Sequence, residues 1–122
     1  MNAKLNTVLI KTQDMAKSIA FYEQVLEFAL DSMITMSPDK QRALLRREGS
    51  DTLIELETAD PGQPPASGAV SLSFVVEQIG AAEKALAASK VRVAAPPRTL
   101  KGGKKIMTAV DPNGVELHFI EE

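Results

Sequence analysis

The chain has 122 residues, 44% hydrophobic and 25% charged, with 14 basic residues against 16 acidic ones for a net charge of −2. That suits one compact soluble unit with a real core, and it gives no electrostatic reason to expect nucleic acid or an anionic membrane as a partner. No cysteine is present, which excludes disulfides, thiolate metal sites and cysteine nucleophiles; with no leader-like segment and no run of ~20 apolar residues, a cytoplasmic location is expected.

Leu5 to Lys11 alternates, with Val8 and Ile10 on one face and Thr7, Leu9 and Lys11 on the other, and so predicts a strand. Asp14 is placed to cap a helix, because its carboxylate can accept from the free amides of the following turn. Met15, Ile19, Tyr22 and Leu26 then recur at helical spacing, widened by Phe21 and Val25. Phe21 and Tyr22 are assigned to packing. Three further strands are expected over Phe28–Met36, Arg42–Arg47 and Thr52–Glu57, divided by Ser37-Pro38-Asp39 and Gly49-Ser50-Asp51. Met33, Ile34 and Met36 could line a pocket or fill a core. Alternation puts Arg46 and Arg47 on opposite faces, and only the register decides which of them faces a ligand.

Residues 61–68 read as a stiff, proline-rich linker between a first module over 1–60 and a second over 69–122. Val70–Val76 alternates again, with Ser71, Ser73 and Val75 facing away from Val70, Leu72, Phe74 and Val76. A helix follows with Ile79, Ala82 and Leu86 on its buried stripe. The last strands are expected over Val91–Ala95, Lys104–Val110 and Val115–Ile120, the final pair joined by the turn Asp111-Pro112-Asn113-Gly114.

The two halves repeat. Met15 and Ile79, and Tyr22 and Leu86, each lie 64 residues apart. Thr7 and Ser71 are separated by the same 64 residues, and Glu55 and His118 by 63. All four of these polar residues sit in strand-like runs, on the face opposite the apolar core positions. A duplicated strand–helix–three-strand unit follows, which makes the fold α+β. One polar residue from each terminal strand suggests a small-molecule site.

Asp14-Met15-Ala16-Lys17-Ser18-Ile19-Ala20-Phe21-Tyr22 with Val25-Leu26, Leu53-Ile54-Glu55-Leu56, and Asp111-Pro112-Asn113-Gly114 followed by Glu116-Leu117-His118 carry a resemblance over nearly the whole chain. They resemble the vicinal-oxygen-chelate superfamily of glyoxalase I, bleomycin-resistance proteins, fosfomycin-resistance enzymes and extradiol dioxygenases. The resemblance implies two tandem βαβββ modules whose curved mixed sheets form a cup with helices outside, often within a homodimer. It also implies metal ligands from the first and last strand of each module. The family's ligand positions fall at Thr7, Glu55, Ser71 and His118, so two of the four carry hydroxyls, which stay protonated at neutral pH and ligate poorly.

Candidate chemistry centres on Glu55 and His118. His118 is the only histidine, so a multi-histidine zinc site is excluded, whereas Glu55, Glu116 and His118 together would make a one-histidine, two-carboxylate set. The cofactor is accordingly a divalent ion (manganese, iron, nickel or zinc) or none. Without metal, Glu55 could abstract a proton next to a carbonyl while His118 polarises that carbonyl or shuttles the proton. The bland alternatives are that Glu55 balances nearby arginines and that Glu116 and His118 are polar lining. Thr7 and Ser71 are candidate ligand contacts. The basic, glycine-punctuated segment from Arg98 to Lys105 could clamp an anion through Arg98, Lys101 and Lys104, although it lacks the spacing of a P-loop and reads more readily as a solvated hairpin. Nothing near Ser71 in sequence supports a serine triad.

Two functions fit: a lyase or isomerase acting on a small oxygenated, anionic metabolite, or a non-catalytic protein that sequesters a small antibiotic-type molecule. Classical glyoxalase I activity is not expected, because that reaction relies on a well-held metal. The low aromatic content, 4%, weighs against gripping a flat drug-like ligand by stacking. The expected partners are the small molecule and a second copy of the chain.

Overall fold

Alternation along the first strand turns Ile10 and Thr12 inward, and the helix that follows closes over them. In the computed structural model, which describes residues 1–2, 5–62 and 70–121, β1 (Thr7–Thr12) leads into α1 (Met15–Gln24) and then β2 (Ala29–Ser37), β3 (Lys40–Arg46) and β4 (Leu53–Thr58). The second half repeats this order as β5 (Ser71–Val76), α2 (Ile79–Ala88), β6 (Arg92–Thr99), β7 (Lys105–Val110) and β8 (Glu116–Glu121). The chain divides into two compact units, Met1–Pro65 and Ala66–Glu122. Each holds one mixed four-stranded sheet, ordered β1-β4-β3-β2 in the first and β5-β8-β7-β6 in the second. This is the expected α+β arrangement of two βαβββ modules. Most of the expected linker over 61–68 lies outside the described residues.

In the first unit α1 packs on β2, β3 and β4. Asp14 caps it by accepting from the Lys17 amide at 3.0 Å. Behind the cap, the fully buried hydroxyls of Thr12 and Ser18 pair at 2.7 Å, tying β1 to the helix. Ile10, Ala43, Leu45, Ile54 and Leu56 form the sheet side of the core. Tyr22 lies wholly inside, edge-on to Phe21 and Phe28 with ring centroids 5.5 and 5.9 Å away. The helix stops at Gln24, earlier than the apolar spacing suggests, yet Leu26 stays buried on the turn beyond it. Glu27 there is left-handed at φ 61°, which lets the Phe28 amide return to the Tyr22 carbonyl at 2.9 Å.

In the second unit α2 packs on β6, β7 and β8, burying Ile79 and Leu86 against Met107, Ala109, Leu117 and Phe119. Phe74 stacks on Phe119 at 5.6 Å. Lys90, left-handed at φ 56°, ends this helix as Glu27 ends the other. The turn before β8 closes as its residue types require: Asp111 Oδ1 accepts from the amides of Asn113 and Val115, both at 2.8 Å, and Gly114 takes φ 88°. The far end of β6 also departs from expectation. β6 runs on past Ala95 to Thr99, because as an edge strand it carries Pro96 and Pro97 through an irregular stretch where no ladder partner is needed.

Candidate functional site

Each sheet has one face against its helix and one turned away, and the candidate residues other than Lys101 and Lys104 lie on the second. In the first unit the register fixes them in rows. Thr7 stands beside Leu53. In the next row Glu55 stands between Leu9 on β1 and Leu44 on β3, with Ser32 beyond Leu44. In the third, Glu57 stands between Lys11 and Arg42, with Ile34 beyond Arg42. Glu55 is half-buried, with leucines to either side of it. Thr7 is not its direct cross-strand neighbour but lies one row away.

The third row is the strongest electrostatic feature of this unit, and the sequence reading missed it. Glu57 is only 4% exposed, and each carboxylate oxygen is taken by a cation: Oε2 by Lys11 Nζ, Oε1 by Arg42 Nη2 at 2.6 Å. These two hydrogen bonds outweigh burial and hold the Glu57 carboxyl down at about 2. Arg42 is held protonated above its usual range, chiefly by the same bond to Glu57, with the Glu55 charge adding to it. Arg42 Nε is a buried donor with no hydrogen-bond partner among the described residues. The sequence did carry one signal for this row. Lys11 shares a face with Thr7 and Leu9, and Glu57 shares one with Glu55, so the pattern that nominated Glu55 continues one step further.

The register also separates the arginines. Arg46 falls on the same side of β3 as Arg42 and pairs with Asp31 at 3.5 Å. Arg47 instead donates to the Leu26 carbonyl and lies 3.6 Å from Glu27, so it braces the end of α1. Leu30, Met33, Ile34 and Met36 on edge strand β2 are all exposed, and thus do not belong to the core of this unit.

In the second unit Ser71 stands beside Glu116 and Ser73 beside His118, with Thr108 on the far side of His118. The Thr108 hydroxyl and His118 Nδ1 are 3.0 Å apart and orient the ring. His118 Nε2 lies 3.6 Å from Glu116 Oε2. Thr108, buried and unremarked in the sequence, is therefore part of the histidine's setting. Arg98 ends up on β6 opposite Ile106, one row from Thr108. Lys101 and Lys104 belong to a tight hairpin turn, closed by Leu100 N to Lys104 O at 2.7 Å and carried by Gly102 and Gly103 at φ 106° and 95°. Arg98, Lys101 and Lys104 are all exposed.

Within either unit taken by itself, the described residues do not make up a divalent-ion site. Thr7 and Ser71 offer protonated hydroxyls, and Thr108 shares the Nδ1 side of His118. Among the described residues no three His, Cys, Asp or Glu side chains gather as a metal would need. No helix among the described residues is long and apolar enough to cross a membrane.

Residues 4–119 match the model of the Glyoxalase/Bleomycin resistance protein/Dioxygenase superfamily. No curated protein matches the sequence. Among solved structures, a member of that superfamily from Sphaerobacter thermophilus DSM 20745 is 23% identical with a TM-score of 0.79, covering 99% of this chain and 98% of its own. A glyoxylase/bleomycin resistance protein/dioxygenase domain from Frankia sp. EAN1pec is 19% identical with a TM-score of 0.82, over 99% and 98% of the two chains. Glyoxalase I from Zea mays is 16% identical with a TM-score of 0.83, over 98% of this chain but only 44% of the maize one. At these identities the likeness is one of fold.

Proposed function

The chain belongs to the Glyoxalase/Bleomycin resistance protein/Dioxygenase superfamily, and from that premise we propose that it acts without metal, as a lyase or isomerase, on a small oxygenated, anionic metabolite. The carrying observation is that Glu55 is half-buried in mid-face between two leucines. A carboxylate flanked by leucines, with no cation in its own row, can accept a proton from carbon. Glu55 takes the proton from the carbon next to a carbonyl, and the C–H electron pair moves to the carbonyl oxygen. Water delivers a proton to that oxygen. In an α-hydroxy carbonyl compound, the hydroxyl on the carbon that lost its proton gives its O–H proton to water as that carbon becomes the new carbonyl, and Glu55 returns its proton to the former carbonyl carbon, which completes an isomerisation. Where the next carbon bears a leaving group, the enol O–H proton returns to water, the carbonyl re-forms, and the group departs with its bonding electrons and takes the Glu55 proton, which completes an elimination. Thr7, one row from Glu55 on the same face, serves ligand binding in this reading.

Replacing Glu55 with Gln tests it. Turnover should fall by roughly 10²–10⁴-fold, the range for loss of a general base, while ligand affinity stays within a few-fold. Equal loss of binding and turnover would refute the base role.

A second reading, sequestration without catalysis, is favoured by the hydroxyls of Thr7 and Ser71 at two of the four positions where the family places its ligands. It predicts that no ligand stabilising the fold is ever converted to product. Both readings take the protein as a homodimer, supported by the exposed apolar side chains of edge strand β2; sedimentation at monomer mass would refute that.

A further inference from the structure

On the helix-free face of the first unit, two cations share one carboxylate. Lys11 and Arg42 each hold one oxygen of Glu57, so the trio carries one surplus positive charge. Glu57 has no exposed side left, whereas the side chains of Lys11 and Arg42 remain 37% and 35% exposed. Their donors are also in surplus: an ammonium offers three N–H groups and a guanidinium five, against the two oxygens of Glu57. Arg42 Nε is buried and unpaired among the described residues, and such a donor gains from any rearrangement that brings it an acceptor. Glu55 lies one row away on the same face.

We propose that the Lys11–Arg42 pair docks a carboxylate of the ligand beside Glu55, which makes the substrate class carbonyl compounds that carry a carboxylate. Glu57 supplies the template: one carboxylate spans both cations with an oxygen on each, and a ligand carboxylate repeats this from their exposed side. A planar fork suits a carboxylate better than it suits a lone anionic atom. Glu57 is a positioning residue. It keeps two like charges side by side that would otherwise spread apart, and it leaves their outer donors free. If an incoming carboxylate draws Lys11 outward, Glu57 Oε2 is released to turn towards Arg42 Nε. The substrate class rests on the reading of Glu55 as a base; the docking site itself does not.

Malonate is the probe, titrated calorimetrically, with malonamide as its uncharged counterpart. Malonate should bind and malonamide should not. Lys11→Gln and Arg42→Gln should each weaken malonate binding by about tenfold or more, the usual consequence of losing a charge-assisted hydrogen bond. Arg42→Lys should recover part of the loss. Because these variants disturb a buried carboxylate, wild-type protein supplies a second reading: the Arg42 Nε–H resonance, assigned by its loss in Arg42→Lys, should move as malonate saturates. Absence of malonate binding, binding indifferent to Lys11 and Arg42, or an unmoved Nε–H signal would each overturn the proposal. Inorganic phosphate binding there in place of malonate would overturn the carboxylate assignment. Glu55→Gln separates this proposal from the catalytic one, since it should bind malonate at least as tightly as wild type even if Glu55 proves not to be a base.

Discussion

Replacing Glu57 with Gln should destabilise the protein by about 2 kcal/mol at neutral pH, and by less than half as much at pH 3. The carboxyl is held at about 2 against an ordinary 4.5 by hydrogen bonds from Lys11 and Arg42. A folded-state value below the unfolded one means that the charged form stabilises the fold. The contribution is complete above about pH 5, shrinks as pH falls below the unfolded value, and is gone once pH passes below about 2. At about 1.4 kcal/mol for each tenfold change in proton affinity, the interval from 4.5 to about 2 sets an upper bound of roughly 3.5 kcal/mol. Lys11 and Arg42 are about a third exposed, so water screens part of this, leaving about 2 kcal/mol. Urea unfolding of both proteins at pH 7, 5 and 3, extrapolated linearly to zero denaturant, gives the difference directly. A gap that is the same at pH 7 and pH 3 would refute the electrostatic account, and no gap at pH 7 would refute the row itself.

Three other substitutions probe the framework by the same unfolding assay. Asp14→Ala removes the acceptor for the Lys17 amide and should cost about 1 kcal/mol; no loss would mean that the cap is not formed. Lys90→Gly relieves a side chain held at φ 56° and should stabilise by about 0.5–1 kcal/mol, seen also as a higher Tm. A destabilised variant would contradict the left-handed backbone there. Leu56→Ala opens a hole at a fully buried position and should cost about 2–5 kcal/mol; a cost below 1 kcal/mol would place Leu56 outside the core.

The sequence was most readable where local chemistry decides structure. Asp14 caps α1 and Asp111 with Gly114 makes the turn before β8, because in both places one side chain meets backbone groups a few residues away. Alternation placed Glu55 and His118 away from the helix faces for a similar reason: period two is local. The Lys11–Glu57–Arg42 row was not legible. Glu57 meets Arg42 across 15 residues and Lys11 across 46, and only the register brings them opposite one another. The same limit left Arg46 and Arg47 undivided until the pairing of β2 with β3 separated them. β6 was cut short because two prolines ordinarily break a strand, and they do so only where both of its edges must pair. Thr108 escaped notice because a buried threonine in a strand is unremarkable until its hydroxyl is seen at His118 Nδ1.

The most direct test of the catalytic reading is deuterium exchange followed by proton NMR. Chelator-treated protein would be incubated in D2O with a panel of small carbonyl-bearing carboxylates. The account predicts that wild-type protein speeds exchange at the carbon beside the carbonyl of at least one of them, that added divalent metal does not raise the rate, and that Glu55→Gln abolishes it. Exchange that survives in Glu55→Gln, or that appears only when metal is restored, would contradict the account.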